Sequence, residues 1–347
     1  MIADLWYNGA VNGPEYPKTA REIRAEQPAI RHWIGLRGYL TRPFWGWLGG
    51  WAVLCGALAS NQLRWDGEVL LSLGLVLLLV ELGWGNLWDL AVGTGWFRPL
   101  ADDWPPENFA PAASLPYTLP RSPGGRIARG LGRFAAWWRE AFWPTAGSAL
   151  LGLLAAVLLV VILTLLLPER LRPLNTVLVA LIGLGIVMRW RGKEPLAAQA
   201  LVRVGLSWLA AHAVFAEIGT ASLVLALAFA LAAWGNLRLA AGLPRSLWLL
   251  NAGQAIAVVV LIMLKQPIIA GAAGLLFFGQ LAMQPSLRYR EDAPGDGDAE
   301  TPADHSSPTS KLGGISAFSR DAVHTAVSRR TWPWLMLLML VAAWALP

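Results

Sequence analysis

Residues 149–167 read ALLGLLAAVLLVVILTLLL, nineteen positions with no charge and a single hydroxyl, Thr164. An α-helix rises about 1.5 Å per residue, so this run alone is nearly as long as the hydrocarbon core of a bilayer is thick. That core holds no water to satisfy backbone N–H and C=O groups, so a lone apolar segment crosses it as a helix. The rest of the chain has the same character. Of 347 residues, 56% are apolar and only 14% are charged, and the mean hydropathy is positive. Soluble domains carry about 25% charged residues, so this composition cannot coat an ordinary aqueous surface. The fold class expected is all-α, a polytopic membrane protein.

Working outward from residues 149–167, nine crossings are expected at about 43–62, 68–92, 144–167, 174–190, 196–215, 219–240, 246–264, 267–284 and 331–346. The segments at 174–190 and 196–215 are weaker, and Arg203 lies inside the second of them. Charge tests the map independently, because cytoplasmic segments collect Lys and Arg. With the N-terminus inside, 24 of the 28 basic residues fall on the cytoplasmic side. Only Arg64, Arg170, Arg172 and Lys265 fall opposite. One span more or fewer would scramble this alternation. The N-terminus is therefore expected in the cytoplasm and the C-terminus on the opposite side. The formal net charge of +6 is topological in this reading, and no nucleic acid partner is expected.

Cys55 is the only cysteine and lies in the first apolar run, so no intramolecular disulfide and no zinc-like cluster is available. Residues 1–42 are polar, lack the apolar core of a signal peptide, and read as a cytoplasmic N-terminal segment. The membrane domain then runs from 43 to 347. Residues 95–143 form a cytoplasmic loop rich in Pro, Gly and Arg. It closes on an amphipathic stretch, Ala128 to Trp143, in which Arg129, Arg133 and Arg139 alternate with Phe134, Trp137 and Trp138. That pattern suits a helix lying on the membrane surface. Residues 290–312 are polar, low in complexity and read as a disordered linker.

Twenty tryptophans are many for this length, and Trp45, Trp47, Trp84, Trp88, Trp137, Trp138, Trp143, Trp190, Trp332 and Trp334 lie near expected span ends. Indole pairs an apolar body with one N–H donor, so most are expected at the membrane interface. An aromatic wall for a flat or isoprenoid ligand is the alternative.

A short sequence recurs. Trp84-Gly85-Asn86-Leu87 ends the second expected span and Trp234-Gly235-Asn236-Leu237 ends the sixth, both on the cytoplasmic side. Nine helices, an inside N-terminus and polar residues at the ends of spans two and six resemble the UbiA superfamily of intramembrane prenyltransferases. Within it the chain is most similar to chlorophyll and bacteriochlorophyll synthases. Thr41-Arg42-Pro43-Phe44-Trp45, followed by Trp51-Ala52-Val53-Leu54-Cys55-Gly56-Ala57, resembles the first-span motif of those enzymes. Ser122-Pro123-Gly124-Gly125-Arg126-Ile127 resembles the segment after their first metal site, and Ala211-His212-Ala213-Val214-Phe215-Ala216 the approach to the second. The resemblance implies a bundle of two pseudo-repeats in a bacterial inner membrane.

The departures bear on activity. Working members place several aspartates at the two span ends. These hold Mg²⁺, which neutralises the diphosphate of a prenyl donor; Mg²⁺ favours carboxylate oxygens. Here the first site keeps Asn86 and one acid, Asp89, with Leu87 where the first aspartate would fall. The second keeps Asn236 but follows it with Arg238. Asp102 and Asp103 lie in the loop beside two prolines and are a weak substitute. By the same resemblance, Arg126, Arg191 and Lys193 stand where cations face the diphosphate; ordinary positive-inside charges are the alternative. His212 is a candidate magnesium ligand for a bound chlorophyll, or a hydrogen-bonded core histidine.

The ligand-cavity candidates are therefore Asn86, Asp89, Arg126, Arg191, Lys193, His212, Asn236 and Arg238. The expected function is a catalytically degenerate relative that holds a pigment such as chlorophyll, a quinone, an isoprenoid or a lipid, or serves as an accessory subunit of a membrane protein complex, a photosynthetic one among the candidates. The alternative is an active prenyltransferase acting on a chlorophyllide or quinone precursor, with Mg²⁺ at Asp89. A transporter is a third class, resting on the span count, the recurrence and the two intramembrane charges Arg203 and Glu217.

Overall fold

Gly192 (φ 70°) and Gly242 (φ 79°) each stop a helix in the left-handed backbone conformation that glycine adopts without strain. In both turns the amide of the residue after the glycine bonds back into the last helical turn, Lys193 to the Met188 carbonyl and Leu243 to that of Arg238. Such stops turn the long apolar runs into discrete helices. The computed structural model describes residues 48–94, 96, 122–243, 246–284 and 330–346. Its helices are α1 (Leu48–Leu58), α2 (Gly67–Gly93), α3 (Pro123–Ala136), α4 (Trp143–Leu166), α5 (Glu169–Trp190), α6 (Leu196–Phe215), α7 (Thr220–Ala240), α8 (Leu247–Met263), α9 (Pro267–Met283) and α10 (Arg330–Ala343). Among the described residues there is no strand.

Five helices, α2, α4, α5, α6 and α7, are long and apolar enough to cross a membrane. This all-helical, apolar architecture is that of an integral membrane protein. Four shorter apolar helices, α1, α8, α9 and α10, lie inside the remaining expected spans. The segments 1–47, 97–121 and 285–329, with residues 95, 244, 245 and 347, lie outside the described residues. They include Thr41 to Trp45, Asp102, Asp103 and the expected linker at 290–312.

Burial sorts the long helices. In α6, 72% of the apolar window is buried inside the protein and in α7, 56%, against 17% in α4. The most apolar helix is thus the outermost. Leu154, Leu158, Val161 and Leu165 form an exposed stripe along α4 at helical spacing, as a lipid-facing surface requires. The interior is built from close helix crossings. A Cβ added at Gly56 of α1 would sit 2.2 Å from the Trp208 carbonyl oxygen of α6, so only glycine permits that approach. Gly253 of α8 meets the Ala228 carbonyl of α7 in the same way. Small residues that let backbones touch replace the hydrophobic driving force that lipid removes.

Buried amides supply further cohesion. Asn251 and Gln284 exchange two hydrogen bonds between α8 and α9, at 3.1 and 2.9 Å, and one turn along Gln254 donates to Gln280 at 2.7 Å. Trp51 Nε1 of α1 donates to the Met336 carbonyl of α10. Three tryptophans depart from the interfacial expectation. Trp84 and Trp88 of α2 and Trp332 of α10 are buried against the other helices, whereas Trp65, Trp190, Trp248 and Trp344 are the strongly exposed ones among the described residues.

Candidate functional site

Two of the helices long and apolar enough to cross a membrane carry a π-helical turn, Leu79–Trp84 in α2 and Leu201–Leu206 in α6. A π turn widens the helix by one residue and breaks the regular hydrogen-bond ladder; such turns recur at functional sites. In α6 the Ser207 hydroxyl donates to the Val202 carbonyl at 3.0 Å, satisfying an acceptor inside the widened turn. Residues of both turns line one small pocket of about 20 Å³, together with Gly49 of α1. Its polar lining consists of Glu81, Arg203 and Ser207; Val80, Trp84, Gly85 and Val202 complete the wall.

Glu81 was not among the residues singled out from the sequence. One of its carboxylate oxygens accepts the backbone N–H of Gly50, near the described start of α1. A Cβ at Gly49 or Gly50 would come within about 3 Å of that oxygen, so the two glycines open the space it occupies.

Arg203 gives the site its ionic contact. Its Nη2 lies 2.9 Å from Asp89 Oδ1, across the gap between α6 and α2, and the two side chains are only 20% and 34% exposed. Asp89 is the single acid that the sequence left at the expected metal site. The sequence reading paired Arg203 with Glu217 as the intramembrane charges. The structure separates them: Glu217 meets Arg170 at 3.5 Å in an exposed pair, and Arg203 meets Asp89.

A hydrogen-bond relay braces the same part of α2. Trp84 Nε1 donates to Asn175 Oδ1 of α5 at 3.0 Å. Asn175 Nδ2 in turn donates to Thr164 Oγ1 of α4 at 2.9 Å, and Thr164 closes on the Val160 carbonyl. The sole hydroxyl in residues 149–167 is therefore the end of a three-helix link.

The other predicted site residues have separate partners. Asn86 is buried and donates to the Leu82 carbonyl of its own helix at 2.8 Å. His212 is buried, with Nε2 3.2 Å from the Glu217 carbonyl. A carbonyl only accepts, so Nε2 is the donor in this contact. Asn236 Oδ1 accepts from Thr331 Oγ1 of α10 at 2.9 Å, inside the protein. The Arg238 guanidinium lies 5.7 Å from the Trp234 ring centre, a cation–π contact. Arg126, Arg191 and Lys193 are exposed, Arg126 on α3 and the other two at the turn after α5. The structure thus draws one of the eight, Asp89, into the cavity region through Arg203.

The donor set does not suit Mg²⁺. A divalent cation of this kind wants several oxygen ligands, carboxylates foremost. The carboxylate at the expected place is neutralised by a guanidinium instead. Among the described residues no group of three or more His, Cys, Asp or Glu side chains is placed to hold a metal. No family model, no curated protein and no solved structure matches the chain.

Proposed function

We propose that the chain is a UbiA-like membrane protein of nine crossings that has lost diphosphate chemistry and holds a lipophilic molecule. The observation that carries this reading is the Asp89–Arg203 ion pair. In a prenyltransferase the aspartate at this place binds Mg²⁺ and, through it, the anionic leaving group. A guanidinium 2.9 Å away supplies the compensating positive charge from the protein itself, so the carboxylate has no need of a metal. The sequence departure at the second end, Arg238 after Asn236, removes the acid there as well.

Four features support the architecture in this proposal. The four shorter apolar helices fall where four of the nine crossings were expected. The charge distribution favours an inside N-terminus and a bacterial inner membrane fits that orientation. The recurrent Trp-Gly-Asn-Leu stands near the ends of α2 and α7, in keeping with two pseudo-repeats. Between the π turns an apolar wall meets a few polar groups around a pocket of only about 20 Å³, so a lipophile with a polar head would bring no more than a polar atom into it. A quinone, isoprenoid, pigment or lipid has that chemistry, and an accessory role in a membrane complex is compatible with it.

Extraction of the full-length protein from native membranes, followed by absorption spectroscopy and mass spectrometry, tests this proposal. A lipophile retained in stoichiometric amount and lost in Arg203→Ala is the expected result. Protein that carries only bulk phospholipid, in the same proportions as the membrane, overturns it.

A further inference from the structure

Helix α3 presents three distinct faces. It begins cleanly: Pro123 occupies the first turn, and the Ser122 hydroxyl accepts the Gly125 N–H at 3.0 Å as an N-cap. Gly125, Ala128, Gly132 and Ala136 are buried, so the small-residue face turns into the protein. Ile127, Leu131 and Phe134 are 62%, 52% and 57% exposed. At about 100° per residue these three fall within roughly 60° of one another. Arg126, Arg129 and Arg133 are exposed in a second sector, about 130° away from the first.

An apolar face this open would be a liability on a water-facing helix. From Ala136 the chain continues without a break through the π turn Trp137–Phe142 into the membrane-spanning α4. The junction is a cluster of rings: Trp138 stacks on Phe142 at 4.7 Å, and Trp137, Phe134 and Trp143 pack around them. Trp138 and Trp143 are still exposed there, as aromatic residues at a bilayer boundary are. The apolar face of α3 therefore ends one π turn before the exposed rings at the start of α4, and its arginines lie in the neighbouring sector.

The geometry points to α3 as a docking helix for the anionic phospholipid surface of the membrane. Ile127, Leu131 and Phe134 enter the acyl boundary while Arg126 and Arg133 meet the phosphate-bearing headgroups. Guanidinium groups fit phosphate oxygens through paired N–H donors, which an ammonium cannot match. An interfacial helix with this division binds by apolar area plus attraction to negative lipids, so its seating depends on membrane charge. This inference concerns α3 alone and is independent of what the cavity holds.

The test uses the full-length chain in nanodiscs of phosphatidylcholine, with and without phosphatidylglycerol. Leu131→Cys carries an environment-sensitive fluorophore, and Cys55 is buried and stays unlabelled. Quenching by neutral acrylamide reads whether position 131 is in lipid or in water. Each arginine at an anionic surface contributes on the order of fivefold to docking at low salt. Several-fold slower quenching with phosphatidylglycerol is expected. That difference should vanish in Arg126→Gln/Arg133→Gln, persist in Arg126→Lys/Arg133→Lys, and shrink in high salt. Equal quenching in the two lipids overturns the inference. So does a difference that survives the double glutamine variant, which would instead favour a protein partner on this face. If the glutamine variant fails to fold, salt titration of the labelled protein decides: a lipid difference insensitive to salt has the same overturning weight.

Discussion

The same four residues, Trp-Gly-Asn-Leu, stand in α2 and in α7 with different work to do. In α2, Trp84 is the donor of a relay through Asn175 to Thr164, and Asp89, a little farther along, is tied to Arg203. In α7, Gly235 lies against the Leu250 backbone of α8, Asn236 accepts from Thr331, and Arg238 rests over Trp234. The first copy borders a cavity beside two π turns. The second is a packing joint. Recurrence of sequence is therefore no guide to recurrence of role: what differs is whether the neighbouring helix offers a charge or a backbone.

The largest effect expected from breaking this contrast is at the packing joint. A Cβ at Gly235 would sit 2.4 Å from the Leu250 amide nitrogen, which is backbone and cannot swing aside. Gly235→Ala should cost about 1–3 kcal/mol, and Gly235→Leu should abolish recovery of folded protein in detergent. A thermal unfolding midpoint unchanged by Gly235→Ala would remove the packing role. The ion pair comes next. Arg203→Ala leaves Asp89 partly buried without its guanidinium, at a cost of about 2 kcal/mol. That is less than for a fully buried pair, because Asp89 keeps some exposure. The double variant Asp89→Asn/Arg203→Gln should recover much of the loss, and the same unfolding measurement shows whether it does.

Smaller changes sharpen the comparison. Trp84→Phe removes the donor to Asn175 and keeps the ring, for about 1 kcal/mol. Thr331→Val removes the bond to Asn236, for about 0.6 kcal/mol, the average for such bonds between membrane helices. If Thr331→Val proves costlier than Trp84→Phe in matched detergent unfolding, the polar brace belongs to α7 and the contrast reverses.

The sequence was most informative where apolar runs are unbroken. Residues 149–167 contain no alternative to a spanning helix, and α4 is there. It was least informative in α6, whose run is diluted by Gln199, Arg203, Ser207 and His212, yet α6 is the most buried long helix. In lipid, dilution marks the inside. Glu81 was overlooked because three acids, Glu68, Glu81 and Asp89, still leave the run 68–92 apolar on average, although an intramembrane acid is a functional candidate by default. Arg203 was noticed, but its partner lies 114 positions away, and no local spacing points from one to the other. Neither π turn has a composition that announces it. Trp84 and Trp88 were expected at the interface because they follow an apolar run. Their burial comes from neighbouring helices that one segment's sequence does not specify.

The central claim is that the Asp89 carboxylate serves Arg203 rather than a metal-bound diphosphate. A prenyl-transfer assay on the purified full-length protein tests it most directly, with a radiolabelled prenyl diphosphate, a lipophilic acceptor extract, and Mg²⁺ present or chelated. The account predicts no Mg²⁺-dependent transfer, and no difference between the natural sequence and Asp89→Ala. Transfer that requires Mg²⁺ and disappears in Asp89→Ala would contradict it.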